Sequence, residues 1–173
     1  MLSLPFELHK HFVKLTLIIV ENSLLTTLMK HDFEGLNLLK KISMTGNNIS
    51  LIGEDAFDGV PQIEVLILSS NNIKSLPSKL FSKLIKLHTL KLSENKLKTF
   101  AAEVLPPKSV IKEFNIDHNE LQIIGLKIVR YLQVATVIDF SGNDCIDFKY
   151  EKDNSYTSVG ELLFQISMKC SED

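Results

Sequence analysis

Apolar residues fall along this chain in a frame that repeats every 24 residues. Around Asn71 the apolar places are Ile63, Leu66, Leu68, Ile73 and Leu76. One period earlier stand Leu39, Ile42, Met44, Asn47, Ile49 and Ile52, and one period later Leu87, Leu90, Leu92, Asn95, Leu97 and Phe100. The register continues through Asn119 (Ile111, Phe114, Ile116, Leu121, Ile124) and Asn143 (Ala135, Ile138, Phe140, Cys145). Before Asn47 it runs Leu15, Ile18, Val20, Ser23, Leu25 and Leu28, with serine in place of asparagine. Each alternating pair, such as Leu66 and Leu68, predicts a short strand with one buried face. A bulky apolar residue ten places past each Asn position (Phe33, Phe57, Phe81, Leu105, Val129) fills the far side of the unit. A unit this short cannot bury its own faces, so successive units must stack. Asn47, Asn71, Asn95, Asn119 and Asn143 stand where the chain turns away from the strand, and their amides can bond backbone groups of neighbouring coils that stacking would otherwise bury unpaired.

The pattern LxxLxLxxNxLxxL resembles the leucine-rich repeat family, specifically its 24-residue type common in extracellular proteins, over about residues 1–146. That resemblance implies an α/β right-handed solenoid, or horseshoe, with one parallel strand per coil. A partial first coil and then six coils occupy residues 1–143, and a helical cap occupies 144–173. In the cap, Val159, Leu162, Leu163, Ile166 and Cys170 recur at helical spacing after a Ser158–Glu161 capping pair, while Lys149 to Ser155 reads as a polar loop. Cys145 and Cys170 are the only cysteines. A disulfide between them is similar to the cysteine-bearing caps of extracellular members, and a short two-cysteine cap looks like those of insect secreted and receptor-ectodomain proteins. The alternative is two free thiols packed as small hydrophobes.

The start of the chain reads as the second half of a coil. Ser3-Leu4-Pro5 matches Ser75-Leu76-Pro77 three periods on, and Leu8 matches Leu80. The expectation is an open first coil, left by truncation or covered by a partner or a missing segment. Phe12 to Val20 is interrupted by Lys14 and lacks a small-x-small cleavage site, so it reads neither as a signal peptide nor as a membrane span.

Composition agrees with this frame. Leu and Ile supply 44 residues against four Ala, and the 11 Asn have their turn positions. Net charge is −2, and 18 Lys accompany a single Arg. That balance argues against nucleic acid, whose recognition favours Arg forks on a basic face.

Strand residues between the apolar places point to the concave face. Val65 and Ile67 form a small apolar spot there. Glu113, Asp117 and Asp139 form an acidic cluster, with Asn115 among them and Lys91 one strand away. The cluster reads as a solvated face, as a docking patch for a basic partner, or as a calcium site short of the six to eight oxygens that ion takes. His31, His88 and His118 lie in separate repeats without a matched nucleophile, and the seven glycines form no phosphate-binding motif. The sequence therefore reads as a non-enzyme without cofactor or metal. Asn48-Ile49-Ser50 is an N-glycosylation sequon, and Asn143-Asp144-Cys145 is a rarer form. The expected role is an extracellular protein-binding module in innate immunity or adhesion. The rivals are an intracellular scaffold or regulatory subunit with reduced cysteines, and a non-functional truncated copy.

Overall fold

The 24-residue frame becomes a stack of coils because each coil's buried strand face can be completed only by the next. The computed structural model describes residues 3–5, 7–153 and 158–170. Its main sheet orders the strands Leu17–Ile19, Lys41–Ser43, Val65–Ile67, Thr89–Lys91, Glu113–Asn115, Val137–Asp139 and Lys149–Glu151. The first six are parallel, and each residue pairs with the one a period away, as Ile18 with Ile42 and Ile42 with Leu66. The chain is thus a solenoid of about five turns. On the returning side, Thr27–Leu28 pairs with Leu51–Ile52 and Thr99–Phe100 with Ile123–Ile124.

The interior is a single continuous core. Ile42, Leu66, Leu90, Phe114 and Ile138 are fully buried beneath the strands. Phe33, Phe57 and Phe81 stack along the far side with ring centroids 5.5 and 5.8 Å apart. Phe100, Phe114 and Phe140 form a second run at 5.4 and 5.6 Å. These separations lie in the range where aromatic pairs add to simple burial.

Between the strand and the return, the asparagines join coil to coil. Asn95 Oδ1 accepts from the Ile73 amide at 3.0 Å. Its Nδ2 donates to the carbonyls of Leu68 and Leu92, both at 3.0 Å. Asn71 and Asn119 repeat this arrangement one coil away on either side. As a result Met44, Leu68, Leu92 and Ile116 each accept from two asparagines, one in their own coil and one in the next. Each asparagine reaches toward the preceding coil, so Asn47 bonds the Leu25 amide and the Val20 carbonyl even though Ser23 stands in the coil below. The serine hydroxyl turns back to the Glu21 carbonyl. Its substitution weakens what lies beneath the first coil and leaves the junction above intact.

The residue before each ladder position adopts a left-handed backbone: Asn22, Gly46, Ser70, Glu94, His118 and Gly142, with φ between 49° and 69°. Gly142 has a second reason to be glycine, since a Cβ there would lie 3.0 Å from the His118 ring. At the start of the chain, Glu7 and Lys79 share positive φ at equivalent places, in keeping with the Ser3/Ser75 match. Packing there differs, because Phe12 is 54% exposed whereas its counterpart Leu84 is fully buried. The expected opening of the chain at Met1 lies outside the described residues.

The two ends close differently. After Asp139 the chain reverses, with the Phe140 amide bonding the Phe148 carbonyl and the Asn143 amide that of Ile146. Lys149–Glu151 then runs antiparallel along the last parallel strand. This corrects the loop expected for Lys149 to Ser155 (Asn154 and Ser155 lie outside the described residues). Polar side chains did not prevent a strand because the exposed edge of Val137–Asp139 supplied its backbone partners. The helix Val159–Lys169 begins at Ser158, whose Oγ accepts from the Glu161 amide at 3.1 Å. It buries Leu162 and Ile166, with Cys170 at its end, but Leu163 faces outward. Cys145 and Cys170 form a disulfide with Cα atoms 5.3 Å apart, and the Cys170 carbonyl accepts from the Ile124 amide. Strand and helix together cover the last coil.

Replacing Asn95 by Ala strands the buried Ile73 amide and removes one of the two donors to each of the Leu68 and Leu92 carbonyls, so thermal or urea unfolding should show a loss of about 2–3 kcal/mol, most of it from the unpaired amide at about 1–3 kcal/mol. Asn72 is only half-buried, and its side chain bonds the exposed Asn48 side chain while its backbone bond to Ile49 survives truncation, so Asn72→Ala should cost under about 0.5 kcal/mol. Equal losses would refute the ladder as the coil-to-coil tie.

Candidate functional site

Because the coils are in register, side chains on the concave face stand in columns across the sheet, with neighbours roughly 4.8 Å apart. One column reads Leu17, Lys41, Val65, Thr89, Glu113 and Val137. The next reads Ile19, Ser43, Ile67, Lys91, Asn115 and Asp139. The N-terminal half is dominated by aliphatic side chains and the C-terminal half by charges.

In the C-terminal half, Glu113, Asp117 and Asp139 lie on adjacent coils, and each is already engaged. Lys91 Nζ sits 2.6 Å from Glu113 Oε1. Asp117 accepts from Ser93 Oγ at 2.5 Å and contacts His118 Nδ1 at 3.0 Å. Asp139 is buried, accepts from the Ser141 amide and hydroxyl, and has Lys149 Nζ 3.5 Å away. Lys149 also pairs with Glu151 at 3.1 Å. These contacts lift the lysine above its ordinary pKa, Glu151 contributing most and Asp139 next. Glu113 and Asp139 thus have lysine partners, while Asp117 is held by a serine hydroxyl and a histidine, so the cluster is a partly paired lattice more than an open acidic field. Asn115, between Lys91 and Asp139 in its column, has a buried Oδ1 without a hydrogen-bond partner. Among the described residues, no group of three His, Cys, Asp or Glu side chains converges as a metal site requires.

In the N-terminal half, Val65 and Ile67 are half-buried. Leu17 and Ile19, two strands away, are 43% and 54% exposed. They belong with Val65 and Ile67 as an aliphatic surface, divided by Lys41 and Ser43. The repeat pattern assigns these places to the concave face, but how far each side chain is covered depends on curvature and neighbours. Lys149 and Glu151 also escaped the sequence reading, because the strand that carries them lies outside the period.

Other residues singled out by the sequence stand apart from this face. Asn48 is exposed on the turn after Lys41–Ser43, its Oδ1 accepting from Asn72 Nδ2. Cys145 and Cys170 lie at the cap. His88 lies one coil before His118, its carbonyl accepting from the Lys112 and Glu113 amides and its Nδ1 3.1 Å from Thr89 Oγ1.

A family model described as leucine rich repeat matches residues 13–73 and 61–121. No curated protein matches the chain significantly. Among solved structures, the Toll–Spatzle complex of Drosophila superposes with TM-score 0.64 and 22% identity over 82% of this chain and 22% of that one. A leucine-rich repeat protein of Leptospira interrogans gives 0.68 and 22%, over 91% and 36%. The LRIM1/APL1C complex gives 0.67 and 25%, over 84% and 25%. The chain thus spans about a quarter to a third of the lengths of these structures, and the likeness is one of fold.

His118 supplies the site's titratable reporter. Its hydrogen bond to Asp117 raises its pKa above the usual histidine value, with further help from the charges of Asp117, Glu94 and Asp139. A raised folded-state pKa means the stabilisation is complete below the ordinary value and fades as pH climbs through the raised one. An NMR titration should place the His118 midpoint above that of a model histidine. Asp117→Asn should lower it, and high salt should do the same in part. A midpoint indifferent to both would show the contact to be absent in solution.

Proposed function

This chain belongs to the leucine-rich repeat family, and on that footing we propose that it is an extracellular recognition module binding a protein ligand through its concave face. The observation that carries this reading is the aliphatic surface of the N-terminal half, with Leu17 and Ile19 exposed and Val65 and Ile67 half-buried, on a sheet whose opposite face packs into the core. Water-exposed aliphatic groups in a cluster mark contact surfaces in soluble proteins. Lys91, Glu113, Asn115, Asp117 and Asp139 then form a polar flank. Since their charges are already paired, they set orientation and exclude mismatched partners more than they drive affinity.

The extracellular placement is supported by the Cys145–Cys170 disulfide, since such bonds persist in oxidising compartments. The exposed Asn48 sequon is compatible with a glycan on the rim, clear of the concave side chains. A role in innate immunity draws support only from likeness to the Toll–Spatzle complex, whose structure is described in such terms. In this reading the cap, residues 144–173, is a closure of the solenoid distinct from its binding repeats.

A tagged copy secreted from eukaryotic cells should bind intact cells of its own organism in a protease-sensitive manner. Val65→Glu with Ile67→Glu should weaken that binding by about tenfold or more, as loss of a central apolar anchor does. Ile85→Glu with Leu38→Glu, outside the concave face, should leave it unchanged; equal losses in both variants would remove the concave site.

Thiol alkylation of the native protein should find no free cysteine. Cys145→Ala should lower stability by about 3 kcal/mol, as expected for opening a loop of roughly 26 residues. Two alkylatable thiols in freshly isolated protein would favour the intracellular scaffold instead.

A further inference from the structure

Beside the concave face, where the chain leaves each ladder asparagine, lies a depression of about 330 Å³ lined by Lys74, Lys96, Lys98 and Glu120. The period explains the convergence. Lys74 and Lys98 occupy the same place in successive coils, and Lys96 is two residues before Lys98 on the same turn. All three lysines are exposed. Several lysines elsewhere on the solenoid have carboxylate partners, among them Lys40 with Glu64, Lys83 with Asp58 and Lys127 with Glu103. Among the described residues, Lys74, Lys96 and Lys98 have no ion pair. Three like charges therefore face one depression with a single carboxylate, Glu120, on its wall, in a chain whose net charge is −2.

The residues bounding this patch give it limits. In the row that follows each ladder asparagine, Asn48 and Asn72 stand on one side of Lys96, and Glu120 and Asp144 on the other. The patch is thus neutral and amide-bearing toward the N-terminal coils, and is cut off by acidic residues toward the cap.

We propose that the Lys74–Lys96–Lys98 depression is a second binding surface, taking the sulfate groups of a sulfated polysaccharide. Three features select this ligand class. The lining contains no aromatic or aliphatic side chain, whereas a protein interface draws its energy from such anchors and is depleted in lysine at its core. It contains no arginine and no stacking ring, which nucleic-acid surfaces use. What remains is a set of compact, rotatable ammonium charges, suited to several tetrahedral anions along a flexible polymer. The biological setting of this surface rests on the extracellular reading above, but the binding itself does not, because it is measured on purified protein.

The test uses the whole chain on immobilised heparin and in titration with heparin oligosaccharides. The protein should be retained near physiological salt despite its net negative charge. K74Q/K96Q/K98Q should lower affinity by about ten- to a hundredfold, at roughly two- to fivefold per exposed ion contact. It should also reduce the slope of log affinity against log salt by about 2–3. Because the three residues are exposed, thermal unfolding should be unchanged. E120Q should move affinity the other way, by about two- to fivefold. A control, K79Q/K108Q/K112Q, removes the same charge elsewhere and should change little. Passage of the wild-type protein through the column would overturn the proposal, as would equal weakening by the control. Equal affinity for hyaluronan, which has carboxylates and no sulfate, would overturn the ligand class. If native protein instead shows two free thiols while the patch variants behave as stated, the extracellular reading fails and the anion site stands.

Discussion

Everything in this solenoid depends on one problem of backbone chemistry. Stacking coils roughly 4.8 Å apart buries the place where each strand ends, and the amides and carbonyls there can no longer reach water. The asparagine side chain solves this because it carries an acceptor and two donors on a short stem. Its oxygen takes an amide of the coil before, and its nitrogen is shared between carbonyls of both coils. Each of four carbonyls then serves two asparagines, so the ladder is a continuous chain of bonds running along the axis. The hydrophobic core supplies most of the driving force for stacking, but it is non-directional. The ladder fixes which residue lies above which, and with it every column on the surface.

That directionality makes the two ends unequal. Each asparagine reaches backward, so the last coil gives its amide to the one before and needs something else above it. A reversed strand, a helix and a disulfide supply that cover at the C-terminal end. At the other end Ser23 makes no backward bond, and Phe12, Val13, Leu17, Ile19 and Leu24 stay exposed. The same asymmetry runs along the face: aliphatic side chains toward the N-terminal coils, paired charge toward the cap.

The repeating core was legible from sequence because burial at a fixed place in every coil leaves a signal in every period. Leu66, Leu90 and Phe114 could be aligned without knowing anything of their neighbours. The left-handed turn was not legible, although it recurs as faithfully, because Asn22, Gly46, Ser70, Glu94, His118 and Gly142 share no chemistry. There the ladder bonds on either side force the backbone, and residue type only adjusts the cost. The reversed strand Lys149–Glu151 was missed for a related reason, since its pairing was dictated by an open edge and not by its own polar composition. The charge lattice was hidden by distance along the chain. Ser93 and Asp117 are 24 residues apart, as are Ser70 and Glu94, and such partners become visible only when the period is applied to polar residues as well as apolar ones. Of the cations beside the acidic cluster, Lys91 was visible one strand away, whereas Lys149 was hidden because it lies on the reversed strand outside the period.

Applied consistently, the same rule separates surfaces that are finished from those that await a partner. Lys91 and Glu113, or Lys127 and Glu103, satisfy one another across adjacent coils; a ligand that broke such a pair would have to compensate two charges for each new bond it formed. Carboxylate-rich positions on the concave face are thus poor sources of affinity, however prominent they are in sequence. Surfaces whose periodic neighbours do not complement them are different. Leu17 and Ile19 stay exposed on the face, with Val65 and Ile67 half-buried two strands on, and Lys74 meets Lys98 where a carboxylate would have closed the pair. In a structure where one residue in 24 can be paired with the next simply by stacking, these mismatches are the places at which the solenoid's own chemistry leaves a bond to be made by something else.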